Sequence, residues 1–251
     1  MKTAGKHLFV VLVLILFVIS CTGGAKTQKK EKALSIEEQF QLAFLAAERG
    51  NLDEAATGYK KVLKLDSNHA KAHLNLGIVY GRQGKSKQEI SEYKKAVRID
   101  PRFAQAYYNL GVAYYEKGDL KEALSRFQKA LQINANFVEA RNNVGNIYLR
   151  RGKLDDALTE YLKVVEIKPD YARAHFNIAS VYWQNGQTEE AVSAFQKALE
   201  INPKYAEAHY QLAFIYYEKK EFKLSVQHFD LAGKLGVVVD PKFSELLKPY
   251  R

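Results

Sequence analysis

Only one of the 251 residues is cysteine, only five are proline, and acidic residues are outnumbered 28 to 38 by lysine and arginine. A single cysteine excludes a disulfide framework and any zinc site built on cysteine ligands. Five prolines and fifteen glycines exclude a collagen-like or proline-rich chain. Motifs that carry chemistry are missing as well. The sequence holds no glycine-rich phosphate loop with its lysine, no H-E-x-x-H helix and no G-x-S-x-G elbow. Nothing in it points to an enzyme, a metal or a cofactor. The composition is 47% hydrophobic and 26% charged, a globular balance rather than that of a disordered chain.

A membrane-spanning run is lacking too, although a short apolar run is present. Leu8 to Ile19 is unbroken, preceded by Lys2, Lys6 and His7 and followed by Ser20 and Cys21. Twelve helical residues reach roughly 18 Å, short of a hydrocarbon core of ~30 Å. A basic head, a short apolar stretch and a small residue before the cut predict a signal peptide over 1–20. Val18-Ile19-Ser20-Cys21 resembles the lipobox of bacterial lipoproteins, and the only cysteine stands where the apolar run ends. The resemblance implies that Cys21 is lipidated and that the acyl chains hold the protein to a membrane. Thr22 follows the cysteine, which by the same resemblance favours the periplasmic face of an outer membrane. Residues 21–35 then comprise the lipidated cysteine and a flexible basic tether.

A 34-residue period governs the remainder. The segments AKAHLNLGIVYGRQG (70–84), AQAYYNLGVAYYEKG (104–118) and ARAHFNIASVYWQNG (172–186) align without gaps. Apolar or small residues return at i, i+3, i+4 and i+7 on either side of each final glycine, so each unit holds two amphipathic helices. Gly50, Gly84, Gly118, Gly152 and Gly186 fall where a first helix must end. Pro101, Pro169 and Pro203 share a phase at the end of the second helix.

This pattern resembles the tetratricopeptide repeat. The resemblance implies an all-α chain, a right-handed α-solenoid of six helix-turn-helix repeats: 36–69, 70–103, 104–137, 138–171, 172–205 and 206–239. Residues 240–251 read as a C-terminal cap, with Asp240-Pro241 opening a last helix and Phe243, Leu246 and Leu247 on one face. Departures from the pattern are Glu89 for an alanine, Ala135 for a proline and Lys220 for a glycine. They predict less regular packing in the second and sixth units.

Three of the six histidines, His73, His175 and His209, share the fourth position of their repeats, which reads as a packing site rather than a metal site. The formal charge of +10 is dispersed along the chain, with the largest excess, +5, in 70–103. No continuous basic stripe for a nucleic acid results. Lys71, Lys85, Lys87, Lys94 and Lys95 read mainly as a solvated face, with an acidic partner as the alternative.

In the family the first helices line a groove. The sixth position of successive repeats reads Asn75, Asn109, Asn143 and Asn177, flanked by Gln41 and Gln211. Such a column resembles the asparagine ladder of peptide-binding members, since an amide both donates and accepts. The same amides also suit a second role, supporting turns and neighbouring helices. Tyr108, Phe176, Tyr210, Tyr115, Trp183 and Tyr217 are candidate aromatic anchors. A lipobox, a short tether and six repeats resemble the layout of the type IV pilus pilotins that assist secretin rings. That resemblance implies a non-catalytic scaffold binding an exported or membrane protein, with a secretin as the candidate. The alternative is a periplasmic docking adaptor for cell-wall or exopolysaccharide export machinery.

Overall fold

The computed structural model describes residues 34–251. The expected signal peptide, Cys21 and nearly all of the tether lie outside the described residues. Among the described residues there are thirteen α-helices, one short 3-10 turn and no strand. The first helices of the six units are α1 (Ile36–Glu48), α3 (Ala70–Arg82), α5 (Ala104–Glu116), α7 (Val138–Arg150), α9 (Ala172–Gln184) and α11 (Ala206–Glu218). The second helices are α2 (Leu52–Leu65), α4 (Ser86–Ile99), α6 (Leu120–Ile133), α8 (Leu154–Ile167), α10 (Thr188–Ile201) and α12 (Phe222–Lys234). Helix α13 (Pro241–Leu247) and a 3-10 turn (Lys248–Tyr250) end the chain.

The two helix types differ in how much of their circumference is apolar. Helix α6 buries Ala123, Phe127 and Ala130, one stripe at helical spacing. Helix α3 buries Ala72, His73, Leu74, Leu76, Gly77, Val79 and Tyr80, most of its circumference. The first helices are therefore the inner layer, held between the second helix of their own unit and that of the unit before. Each helix packs on its neighbours along the chain, which gives the solenoid.

Six identical turns set the angle inside each unit. The backbone N–H of Asn51, Lys85, Asp119, Lys153, Gln187 and Glu221 reaches back to Ala46, Tyr80, Tyr114, Tyr148, Tyr182 and Tyr216, at 2.8–3.0 Å. The residue before each donor adopts a positive φ, from 71° to 84° at the five glycines and 62° at Lys220. The turn between units is held by a side chain where the second helix ends. Asp66, Asp100, Asn134 and Asn202 each accept from the backbone N–H two residues on. That includes the third unit, so Ala135 replaces the proline without loss of the turn. The helices of the second and sixth units keep the register of the others, and the irregularity expected there does not appear in the helix order.

The close approach of the two helices in a unit depends on the eighth position. A Cβ on Gly77, Gly111 or Gly145 would lie 2.5–2.7 Å from the ring of Tyr93, Phe127 or Tyr161. These rings belong to the second helices and are nearly or fully buried, each contributing about 1.5–3 kcal/mol through burial. At the far end, Phe243 and Leu247 of α13 pack with Ala213 and Phe229 and close the stack.

Candidate functional site

Along the first helices the outward strip is formed by the second, ninth and thirteenth positions, with the sixth beside it half-buried from the second repeat on. The second and thirteenth positions alternate in sign along the stack. One edge reads Glu37, Lys71, Gln105, Glu139, Arg173 and Glu207; the other reads Glu48, Arg82, Glu116, Arg150, Gln184 and Glu218. All twelve are exposed. Charges of opposite sign one repeat apart leave neither edge with a large field of one sign. Between the edges, the ninth position carries Phe44, Ile78, Val112, Asn146, Ser180 and Phe214. Phe44, Ile78 and Phe214 are 42%, 37% and 41% exposed. These three apolar side chains were not singled out from the sequence. For Ile78 and Phe214 the signal was available, because the core-facing stripe of α3 and α11 is already filled at the third, fourth, seventh and tenth positions.

The amide column is set partly into the stack. Asn75, Asn109, Asn143, Asn177 and Gln211 are all half-buried. Asn75 lies near Tyr59 and Asn109 near Tyr93, in each case the second-helix tyrosine of the preceding unit, and Asn109 accepts from Gln105 on its own helix at 2.9 Å. Asn143 lies near Tyr108 and accepts from Asn146 at 3.4 Å. Asn177 donates to Asn142 at 2.9 Å and to Asn146 at 3.2 Å. Asn146 also accepts from the Tyr161 hydroxyl at 2.7 Å. Burial pushes the Tyr59 hydroxyl up to about 12, and pushes Tyr93, Tyr108 and Tyr161 up as well, so these phenols are neutral donors and acceptors. Asn177 thus braces the fifth repeat against the fourth.

The aromatic candidates divide into two groups. Tyr108 packs at a tilt on Phe137 and Phe176 stacks on Tyr205, at 4.8 and 4.9 Å between ring centroids, and both partners precede the next first helix. Tyr210 meets Phe229 and, on α13, Phe243. These three fill the seams between repeats. Tyr115, Trp183 and Tyr217 stand nearer the strip. The Arg150 guanidinium lies 5.2 Å from the Tyr115 ring, Trp183 meets exposed Phe214 edge-on at 6.3 Å, and Tyr217 packs on Phe222 and Phe243.

The fourth-position histidines serve the turns. His73, His175 and His209 donate from Nε2 to the carbonyls of Ser67, Pro169 and Pro203, at 3.1, 2.8 and 3.1 Å. Arg141 takes the same role with Ala135 in the fourth unit. His73 also meets Glu92, whose carboxyl is resisted by burial yet held below its ordinary value by His73 and Lys95. Among the described residues no group of three or more His, Cys, Asp or Glu is placed to hold a metal ion. In the basic second unit, Lys95 is paired with Glu92, and Lys85 and Lys94 lie over Tyr80 and Tyr114.

No curated protein matches the chain. Among solved structures it is similar to MamA, at 35% identity over 66% of this chain and 97% of that one, with a TM-score of 0.60. It is similar to YrrB, described as a TPR protein with an unusual peptide-binding site, at 30% identity over 69% of this chain and 90% of that one, with a TM-score of 0.59. PilF of Pseudomonas aeruginosa shares the fold over 86% of this chain and 97% of its own length, with a TM-score of 0.74 at 19% identity. The sequence model described as TPR repeat matches residues 46–84, 90–118, 113–150, 145–186 and 180–220, and that described as tetratricopeptide repeat matches 70–103. By these matches the chain belongs to the tetratricopeptide-repeat family, whose members are scaffolds for protein–protein contacts.

Proposed function

We propose that the protein is a lipid-anchored scaffold that holds a segment of an exported protein along its first helices and assists assembly of an envelope complex such as the type IV pilus secretin. The observation that carries the binding role is the apolar strip at the ninth position. Phe44 and Ile78 stand in adjacent repeats at one end, and Phe214 stands beside Trp183 at the other. Exposed aromatic and aliphatic side chains flanked by polar residues are the usual anchors of an interface. Between them the ninth position holds half-buried Val112, Asn146 and Ser180, so the ligand that fits has an apolar group at each end and a more polar middle. The mixed edges match a segment without strong net charge. The peptide-binding site attributed to YrrB supports use of the same fold for peptides, and the likeness to PilF supports the choice of fold for the pilus reading. The apolar run ending at Cys21 supports export and lipidation, with attachment at the outer membrane.

The test is crosslinking in cells from a photoreactive residue at Phe44, Ile78 or Phe214, followed by identification of the trapped protein. Capture of a secretin supports the pilus reading; capture of cell-wall or exopolysaccharide machinery replaces it with the adaptor reading. Capture from the second helices alone removes the groove. Phe44→Ala with Ile78→Ala should weaken the trapped complex by roughly tenfold or more while leaving the melting curve intact. Cys21→Ala should abolish fatty-acid labelling and release the protein from the outer-membrane fraction.

A further inference from the structure

The first and last repeats present the same three residues to the strip, and no repeat between them does. At the second, ninth and thirteenth positions the first repeat reads Glu37, Phe44 and Glu48, and the sixth reads Glu207, Phe214 and Glu218. Seven and four residues separate these positions, close to two turns and one turn, so the three share one face of α1 and of α11. At 1.5 Å per residue the two glutamates lie about 10 and 6 Å along the helix from the phenylalanine. All six side chains are exposed. Among the described residues none of these four carboxylates is paired with a lysine or arginine. Glu92, Glu122, Glu160 and Glu189 of the second helices all are. The second repeat inverts the pattern, with Lys71 and Arg82 flanking Ile78. Arg82 is steadied there by the Ala47 carbonyl at 2.7 Å.

We infer, resting on the scaffold reading above, that the groove selects a segment carrying a basic residue beside an apolar one at each end. Opposite the second repeat the same segment carries an acidic residue. Charge complementarity identifies this occupant. An apolar side chain settles on Phe44 or Phe214, and a lysine or arginine next to it reaches Glu48 or Glu218 with its stem lying along the ring. A cation held there also gains from the face of the phenylalanine. An acidic residue in its place would meet carboxylates that no cation of the chain neutralises, and that repulsion rejects the wrong segment. The same four carboxylates disfavour a surface of anionic lipid headgroups as the occupant. Taken alone, the two matching ends would accept a ligand in either direction. Lys71 and Arg82 break that symmetry, because an acidic residue is favoured beside the first repeat only. These charges are exposed, so the apolar contacts hold the complex and the charges decide which segment is held and which way it runs.

Fluorescence anisotropy of labelled synthetic peptides with the full chain in a mild detergent tests this. Three peptides share a leucine at each end, joined by a serine, glycine and asparagine linker of graded length. One carries lysine beside each leucine, one glutamine and one glutamate. Affinity should fall in that order, with the lysine and glutamate peptides about tenfold or more apart, and the gap should narrow in high salt. Glu48→Gln with Glu218→Gln should reduce the gap, and Glu37→Lys, Glu48→Lys, Glu207→Lys and Glu218→Lys together should reverse the order. A fourth peptide, with glutamate following the lysine at one end only, should bind more tightly than the lysine peptide. Lys71→Gln with Arg82→Gln should cancel that gain. Circular dichroism checks that each variant is folded. Equal affinity for the lysine and glutamate peptides, with both lost in Phe44→Ala with Phe214→Ala, overturns the charge selection while the groove stands. Failure of all the peptides overturns the selection too, and crosslinking from the ninth position then decides the scaffold reading on its own.

Discussion

Gly81 and Glu89 share one space: a Cβ on Gly81 would lie 2.6 Å from Oε1 of Glu89. Other repeats fill this space from the opposite side. They carry Ala55, Ala123, Ala157, Ala191 or Ser225 where Glu89 stands, and from the third repeat on they carry Tyr115, Leu149, Trp183 and Tyr217 where Gly81 stands. The two departures in the second unit are thus one exchange, with side-chain volume moved from the first helix to the second. The exchange preserves the packing but leaves a carboxyl 8% exposed. Burial pushes the Glu89 carboxyl above its ordinary 4.5, Glu116 adds to the rise, and Tyr93 opposes it.

Glu89→Gln should therefore stabilise the protein near neutral pH. An acid whose folded value is raised keeps its proton longer in the folded state than in the unfolded one. Its contribution is then most favourable below pH 4.5 and falls as pH rises through the folded value. The amide removes that loss, so the variant's advantage in melting temperature should appear above pH 4.5, reach a plateau and vanish in acid. Thermal melts of both proteins from pH 4 to 8 check this; an advantage independent of pH would assign the effect to packing.

The period was legible because each phase repeats one chemistry many times. Glycine at the turn and a ring opposite the eighth position recur in register, so a single sequence reports the helix pairs, the cap and the family. The groove was less legible because the function of a phase depends on two neighbours at once. Phe176 reads as an anchor from the first helix alone, yet Phe195 of α10 and Tyr205 before α11 enclose it. Asn177 reads as a ladder rung from its own helix alone, yet it donates to Asn142 and Asn146 of the preceding unit. Phe44, Ile78 and Phe214 passed unnoticed for the opposite reason: an apolar residue in an apolar helix attracts attention only once the buried positions are counted.

Acid should weaken the sixth repeat first. His209 and His228 face each other through their Nδ1 atoms at 2.9 Å, a contact that needs one bare nitrogen and one N–H. Burial, then the neighbouring His209, lowers His228 from 6.5 to about 4. A histidine with a lowered folded value contributes stability that is present above pH 6.5 and lost as pH falls toward about 4. The ring is partly open to solvent, so the loss after screening is about 1–2 kcal/mol. His228→Ala, patterned on Ala194 of the fifth repeat, should flatten that part of the pH profile. Equal acid sensitivity in the two proteins would place the titration elsewhere.

Lys220→Gly should raise the melting temperature. Lys220 holds φ at 62° in a turn that glycine makes in the other five repeats. The left-handed conformation costs a side-chain-bearing residue roughly 1–2 kcal/mol, and glycine's greater freedom in the unfolded chain returns part of that. The net gain is about 0.5–1 kcal/mol, or about 1–4 °C for a chain of this size. Lys220→Ala, which keeps a Cβ, should gain nothing, and equal gains from the two variants would show that the lysine's charge rather than its backbone is at fault.

Removing residues 240–251 should loosen the end of the stack without dissolving the rest. Phe243 and Leu247 are 5% and 0% exposed, and Phe243 contacts the rings of Tyr210, Phe214, Tyr217 and Phe229. Exposing the two side chains costs about 3–6 kcal/mol, and it uncovers the aromatic face beneath them. In a solenoid each unit is stabilised by its neighbours, so the loss falls chiefly on α11 and α12. Amide hydrogen exchange should quicken there by one or more orders of magnitude while α1 to α4 keep their protection. Helical ellipticity should fall by little more than the share of the deleted helix, and the truncated chain should aggregate more readily. Phe243→Ala with Leu247→Ala should reproduce the exchange pattern in a chain of full length. Unchanged exchange in α11 and α12 would mean that the sixth repeat is stable on its own contacts and that α13 only decorates it.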